Sequence, residues 1–132
     1  MLKTSLLTLA VIAAPAIALA DGHITGDAEK GEKVFRKCKA CHQVGEGAEN
    51  KVGPVLNGVV DRAIASADFE YSKALLALNE EGKVWTPEEM AAFLEKPKQY
   101  SKGTKMSFAG LRKEAERLDV IAYIATFAGE GS

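Results

Sequence analysis

The stretch KCKACHQVG, from Lys37 to Gly45, holds both cysteines of the chain and one of its two histidines. Whatever Cys38, Cys41 and His42 bind together, the rest of the chain must pack around it. A structural zinc site needs four ligands, and the motif offers three, with His23 far upstream near the N-terminus. A thioredoxin-like thiol pair would stand beside a βαβ pattern, and the sequence carries no convincing strand. A disulfide across two intervening residues closes too small a loop to stabilise much, and it leaves His42 without a role. The remaining chemistry is C-x-x-C-H as the attachment motif of a c-type haem. Two thiols about one helical turn apart can each add to a vinyl group on one porphyrin edge, and the next residue can present its imidazole to the iron.

The N-terminus fits that chemistry. Lys3 supplies a positive n-region, LLTLAVIAAPAIALA an apolar segment too short to span a bilayer, and Ala18-Leu19-Ala20 an A-x-A site before Asp21. Residues 1–20 are therefore expected to be a cleaved signal peptide, which places residues 21–132 in the periplasm as one small domain. The chain balances 17 Lys and Arg against 18 Asp and Glu, so its charge gives no reason to expect a nucleic-acid partner.

Helical spacing dominates the rest. Asp27 stands as an N-cap before Ala28, Gly31, Val34, Phe35 and Cys38, which predicts a helix running into the motif. From Gln43 to Ser66 the chain reads as loop, EYSKALLAL as a short helix, and Asn79 to Gly82 as its end. TPEEMAAFLEK reads as a helix with Thr86 as N-cap, Pro87 at the first turn, Glu89 closing a capping box and Pro97 ending it. PKQYSKGTKMSFAG reads as a second loop, and a last helix is expected over roughly 113–127, with Leu118, Ile121, Ala122, Ile124 and Ala125 on one side. This is an all-α domain of four or five short helices. Its two long irregular segments are unusual in so small a domain unless they pack around something, and one covalently bound haem supplies that.

The second axial ligand follows by elimination, since haem iron takes His, Met, Cys or Tyr. Both cysteines are used, Met1 leaves with the signal peptide, and His23 is next to the new terminus. Met90 sits at core spacing with Phe93 and Leu94, which suits packing. Met106, in a loop between KGTK and SFAG, remains.

The blocks GDAEKGEKVF, CKACH, VGPVLNGVV, YSKAL, VWTPEEMAAFLEKPKQY, KGTKMSFAGL and ERLDVIAYIATF resemble, in order, the class I cytochrome c family, in its bacterial, mitochondrial-like form. The resemblance implies that Cys38 and Cys41 bind the haem vinyls, that His42 and Met106 hold the iron, and that the Pro54 carbonyl orients the imidazole. It implies that Arg62, Tyr71 and Trp85 hydrogen-bond the inner propionate, and that Gly31 and Phe35 meet Tyr123 where the first and last helices cross. Two positions depart from the pattern. Phe93 stands where many members carry a tyrosine whose hydroxyl reaches the methionine sulfur, and Asp61 where a glycine usually precedes the arginine.

With both axial positions filled, the implied function is one-electron transfer through the exposed haem edge, not catalysis. Lys37, Lys39, Lys51, Lys98, Lys105, Arg112 and Lys113 are expected to ring that edge and steer acidic partner faces toward a monomeric carrier. A cytochrome bc-type complex is the expected donor, and a terminal oxidase, denitrification enzyme or photosynthetic reaction centre the acceptor. The alternative is a peroxidase-like haem enzyme or gas sensor with a displaceable Met106. The attachment reading is tested by denaturing the purified protein: haem absorbance should stay with the polypeptide, and haem released free of the chain would contradict it.

Overall fold

Asp27 takes an extended conformation and its carboxylate accepts the Lys30 amide at 3.1 Å, capping α1 (Ala28–Phe35). The computed structural model describes residues 24–129; the expected signal segment and His23 lie outside the described residues. The remaining helices are α2 (Lys73–Glu80), α3 (Pro87–Glu95), α4 (Pro97–Tyr100) and α5 (Glu114–Ala125). The helix expected to run into the motif stops short of it. After Phe35 the amides of Lys37 and Cys38 reach back three residues, to Val34 and Phe35, at 3.1 and 2.8 Å. Such tightening is common where an α-helix ends. The Cys38 carbonyl then accepts the amides of Cys41 and His42 at 3.1 and 2.9 Å, which coils the motif into a turn.

The crossing of α1 and α5 organises the domain. A Cβ on Gly31 would lie 1.9 Å from the Asp119 carbonyl oxygen and 2.8 Å from Tyr123 Cβ, so only glycine lets the backbones meet. Next to it the Phe35 and Tyr123 rings pack at 5.4 Å. Phe35, Val120 and Ile121 are each 1 % exposed, so the crossing is closed to solvent. Asp119 also accepts the Asp27 amide at 2.8 Å, so a side chain from α5 satisfies a free donor at the start of α1.

Between these helices the chain makes shorter elements. Ser72 caps α2 by accepting the Leu75 amide, and Gly82, at φ 75°, turns the chain out of it. Among the described residues there is no strand, only an isolated antiparallel bridge between Ala63 and Val84. Around it the Trp85 amide bonds the Arg62 carbonyl at 2.8 Å and the Asp61 amide the Trp85 carbonyl at 2.7 Å, which sets Arg62 beside Trp85. Asp61 sits at φ 63°. This left-handed conformation explains the glycine usual at that position, and Asp is among the side chains that tolerate it.

Two further expectations need correction. The capping box of α3 is half made: Thr86 accepts the Glu89 amide at 3.1 Å, but the Thr86 amide bonds the Val84 carbonyl. The Glu89 carboxylate instead accepts the Tyr100 hydroxyl and faces Lys83 Nζ at 3.9 Å, since an ammonium and a phenol attract it more than a neutral amide does. The segment after Pro97 is also not loop from its first residue. Lys96, at φ −151° and ψ 86°, breaks α3, and Pro97 with its fixed φ then starts the single turn of α4. That turn delivers Tyr100 onto Trp85 and Phe93, with ring centroids at 6.1 and 5.6 Å.

Gly31→Val is expected to destabilise the haem-loaded protein by about 3 kcal/mol in denaturant titrations, by forcing the crossing apart. An unchanged midpoint would contradict the close approach. Burial first, then the hydrogen bond to Glu89 and its charge, raise the Tyr100 hydroxyl above the ordinary phenol range. The folded chain therefore keeps a proton that the unfolded chain gives up near pH ~10, so this contribution to stability is intact below that pH and is lost as pH rises past it. Tyr100→Phe should flatten the alkaline fall of stability, and an unaltered slope would count against the coupling.

Candidate cofactor site

A cavity of about 350 Å³ lies between the motif, the 52–62 segment, α3, α5 and the loop after α4. Cys38, Cys41, His42, Pro54, Arg62, Tyr71, Trp85 and Met106, all eight cofactor-binding residues expected from sequence, line it. Its apolar walls come from Leu56, Val59, Leu75, Phe93, Leu94 and Ile124.

His42 is held from two directions. Its Nδ1 lies 2.7 Å from the Pro54 carbonyl, which can only accept, so Nδ1 carries the proton and Nε2 keeps its lone pair. Gly53 lies against the ring, where a Cβ would stand 2.4 Å from Cε1 and 2.8 Å from Nδ1. The Gly53 amide in turn bonds the Cys41 carbonyl at 2.9 Å, tying this loop to the motif. Burial lowers the pKa of His42, partly offset by the bond to Pro54, so the imidazole is neutral at neutral pH, the form that ligates metal. Cys38 and Cys41 are half-buried free thiols. Burial pushes Cys38 up to about 11, against the opposing charge of Lys37 and with a smaller push from Cys41, so it is protonated at neutral pH.

Met106 is half-buried in its loop, packed against the core, with its amide donating to Thr104 Oγ1 at 3.3 Å. Met90, assigned to packing from its spacing, is indeed 5 % exposed, yet it lines the same cavity, so two thioethers reach the site. Arg62 donates from Nη1 to the Asn57 carbonyl at 3.1 Å, while its Nε is buried without a partner in the protein. A buried guanidinium donor without an acceptor is costly, and a carboxylate on the occupant of the cavity would satisfy it. Gly53 and Phe69 also belong to this lining and were not singled out from sequence. The signal for Gly53 was its place before Pro54, while nothing local marks Phe69.

The basic residues separate into groups. Lys37 and Lys105 line the cavity and each faces a carboxylate, Glu116 at 3.5 Å and Glu70 at 3.6 Å. Lys39 and Lys51 are exposed along a groove on which His42 also borders. Lys98, Arg112 and Lys113 are exposed but line neither. Val52, which the sequence did not mark, stands 78 % exposed at the cavity.

Two thiols, a neutral imidazole with a free lone pair, thioethers and a guanidinium short of an acceptor, all around an apolar cavity, define a protein that holds a haem. The comparisons agree. The cytochrome c family model matches residues 28–128. Cytochrome c-550 of Ancylobacter novellus is 51% identical over 104 residues, covering 78% of this chain and 97% of that protein. Cytochrome c2 of Agrobacterium tumefaciens is 49% identical over 100 residues, 75% of this chain and 90% of that one. The solved structure of cytochrome c2 from Rhodospirillum centenum aligns with TM-score 0.71 and 44% identity over 77% of this chain and 98% of that chain. The chain belongs to the cytochrome c family. It is an electron-transfer protein, and its cofactor is covalently bound haem c. Among the described residues no helix is long and apolar enough to cross a membrane.

Gly53→Ala is expected to push the His42 ring off its bond to Pro54, lowering the yield of haem-loaded protein and altering its visible spectrum. Normal yield with an unaltered spectrum would contradict the role given to Gly53.

Proposed function

We propose that the protein is a periplasmic one-electron carrier in which Cys38 and Cys41 tether the haem while His42 and Met106 hold the iron. The observation that supports this reading is that His42, with its Nδ1 bonded to the Pro54 carbonyl, and Met106 line one apolar cavity together with both cysteines. When bound, the haem supplies a one-electron couple, and methionine ligation favours its reduced state. The Pro54 carbonyl holds the imidazole proton at Nδ1 and thereby fixes ring orientation and basicity. Arg62 supplies a charged donor for the inner propionate, with Tyr71 and Trp85 on the same cavity. The apolar walls would keep water from a bound haem and so limit reorganisation on electron transfer.

Cys38 and Cys41 would hold the haem on the side of the cavity where it would exchange electrons with partners. Lys37, Lys39, Lys51, Lys98, Lys105, Arg112 and Lys113 steer acidic faces of redox partners, giving weak encounters that slow with added salt. The donor is a cytochrome bc-type complex, and the acceptor a terminal oxidase, denitrification enzyme or photosynthetic reaction centre. The carrier acts as a monomer, exported by the segment 1–20, which is then removed.

Met106→Ala is the test of ligation. It should abolish the weak red charge-transfer band of sulfur-ligated oxidised haem, lower the reduction potential and open the iron to carbon monoxide, while Met90→Leu leaves the band in place. A band kept in the first variant and lost in the second would move the ligand to Met90 and overturn the assignment.

A further inference from the structure

Asn57 is 1 % exposed, yet it lines neither the haem cavity nor the groove beside it. A primary amide buried this deeply must find partners for both of its ends. Its Oδ1 accepts the Gly45 amide at 2.8 Å and its Nδ2 donates to the Gly45 carbonyl at 2.9 Å. One side chain thus grips a single residue's backbone by donor and acceptor together. Gly45 follows shortly after His42 and sits at φ 95°, a conformation that favours glycine.

The main-chain carbonyl of Asn57 accepts Arg62 Nη1 at 3.1 Å. Arg62 lines the cavity, and its Nε is buried without a partner in the protein. The guanidinium is therefore held by a carbonyl whose own residue is fastened, through its side chain, to the turn that follows the attachment motif. The stretch before Asn57 has ties of its own. The Val55 amide donates to Asn50 Oδ1 at 2.9 Å and the Leu56 amide to the Gln43 carbonyl at 3.1 Å, which hold the segment that sets Pro54 against His42. Past Leu56 the chain is tied to Gly45 by the Asn57 side chain, and two local turns then lead to Arg62, with Val59 bonded to Leu56 and Arg62 to Val59, both at 3.2 Å.

We propose that Asn57 is a positioning residue for electron transfer: by clamping Gly45 it fixes the carbonyl that holds the Arg62 guanidinium, and so keeps the reduction potential high, on the reading that Arg62 serves the inner propionate. Oxidation adds a positive charge to the iron site. A fixed cation nearby opposes that change, whereas an ionised propionate deprived of its cation favours it. In an apolar cavity either charge acts with little screening. A guanidinium no longer held by the Asn57 carbonyl pairs with the propionate for less of the time, and the potential falls. The side chain has to be an amide for this purpose. Aspartate would set a negative charge against the Gly45 carbonyl, and leucine has a similar size but makes neither bond.

The haem-loaded protein and its variants should be compared by reduction potential at neutral pH and by denaturant titration. Asn57→Leu is expected to lower the potential, and Arg62→Gln to lower it at least as far. In the double variant the Asn57 change should add little, because it acts through Arg62. Asn57→Ser loses the same grip with less crowding and should shift the potential in the same direction, which keeps the test open if Asn57→Leu fails to load haem. Ile121→Val, buried at the helix crossing and outside the cavity lining, should lose stability but keep the parent potential, which separates positioning from general loosening. A parent-like potential in the Asn57 variants, beside a lowered one in Arg62→Gln, would overturn the positioning role and leave the propionate reading intact. Fully additive shifts in the double variant would also overturn it. An unchanged potential in Arg62→Gln would remove the propionate reading and the role of Asn57 with it.

Discussion

The hydrophobic core of this protein is not closed by its own side chains. Val59, Trp85, Met90, Phe93, Leu94, Val120 and Ile124 are among the most buried residues, and every one of them also lines the cavity. Apolar surface of this kind stabilises a fold only when something covers it. In a cytochrome c the covering partner is the haem, so the cofactor is a structural element as much as a redox centre. The short helices and long irregular segments follow from this, because each has only to reach the haem and need not build a core against its neighbours.

Given that constraint, a few contacts set where the chemistry falls. The absence of a side chain at Gly31 lets α1 cross α5, and the turn after Phe35 then carries Cys38, Cys41 and His42 to the cavity. From the other side, Gly53 and Pro54 hold the imidazole against the motif through one hydrogen bond and one face contact. The bridge around Ala63 and Val84 brings Arg62 next to Trp85, where its buried Nε is an unsatisfied donor. These contacts join residues distant in sequence, which is how so small a domain keeps an ordered site within long loops.

Much of this was legible beforehand, for identifiable reasons. The motif is contiguous, the Asp27 and Thr86 caps act within three residues, and α5 carries helical spacing, so local rules sufficed. What was not legible depends on partners brought together by the fold. Glu89 fits a capping box by spacing alone, and only the arrival of Tyr100 on the turn begun by Pro97 redirects it. Met90 reads as core because it is core, and its second role as cavity lining cannot be separated by period. Lys37 and Lys105 read as free positive charge, whereas Glu116 and Glu70 lie close enough to take up part of it. Such exposed pairs contribute little to stability, but they lower the charge available to a partner.

The claim on which the account rests is that the haem completes the core. It is tested most directly by preparing residues 21–132 without haem, both cysteines replaced by alanine, and measuring helical circular dichroism through a denaturant titration. The account predicts low helicity and no cooperative transition. A sharp unfolding transition from the helical content of the haem-loaded protein would contradict it, since the chain would then have closed its core alone.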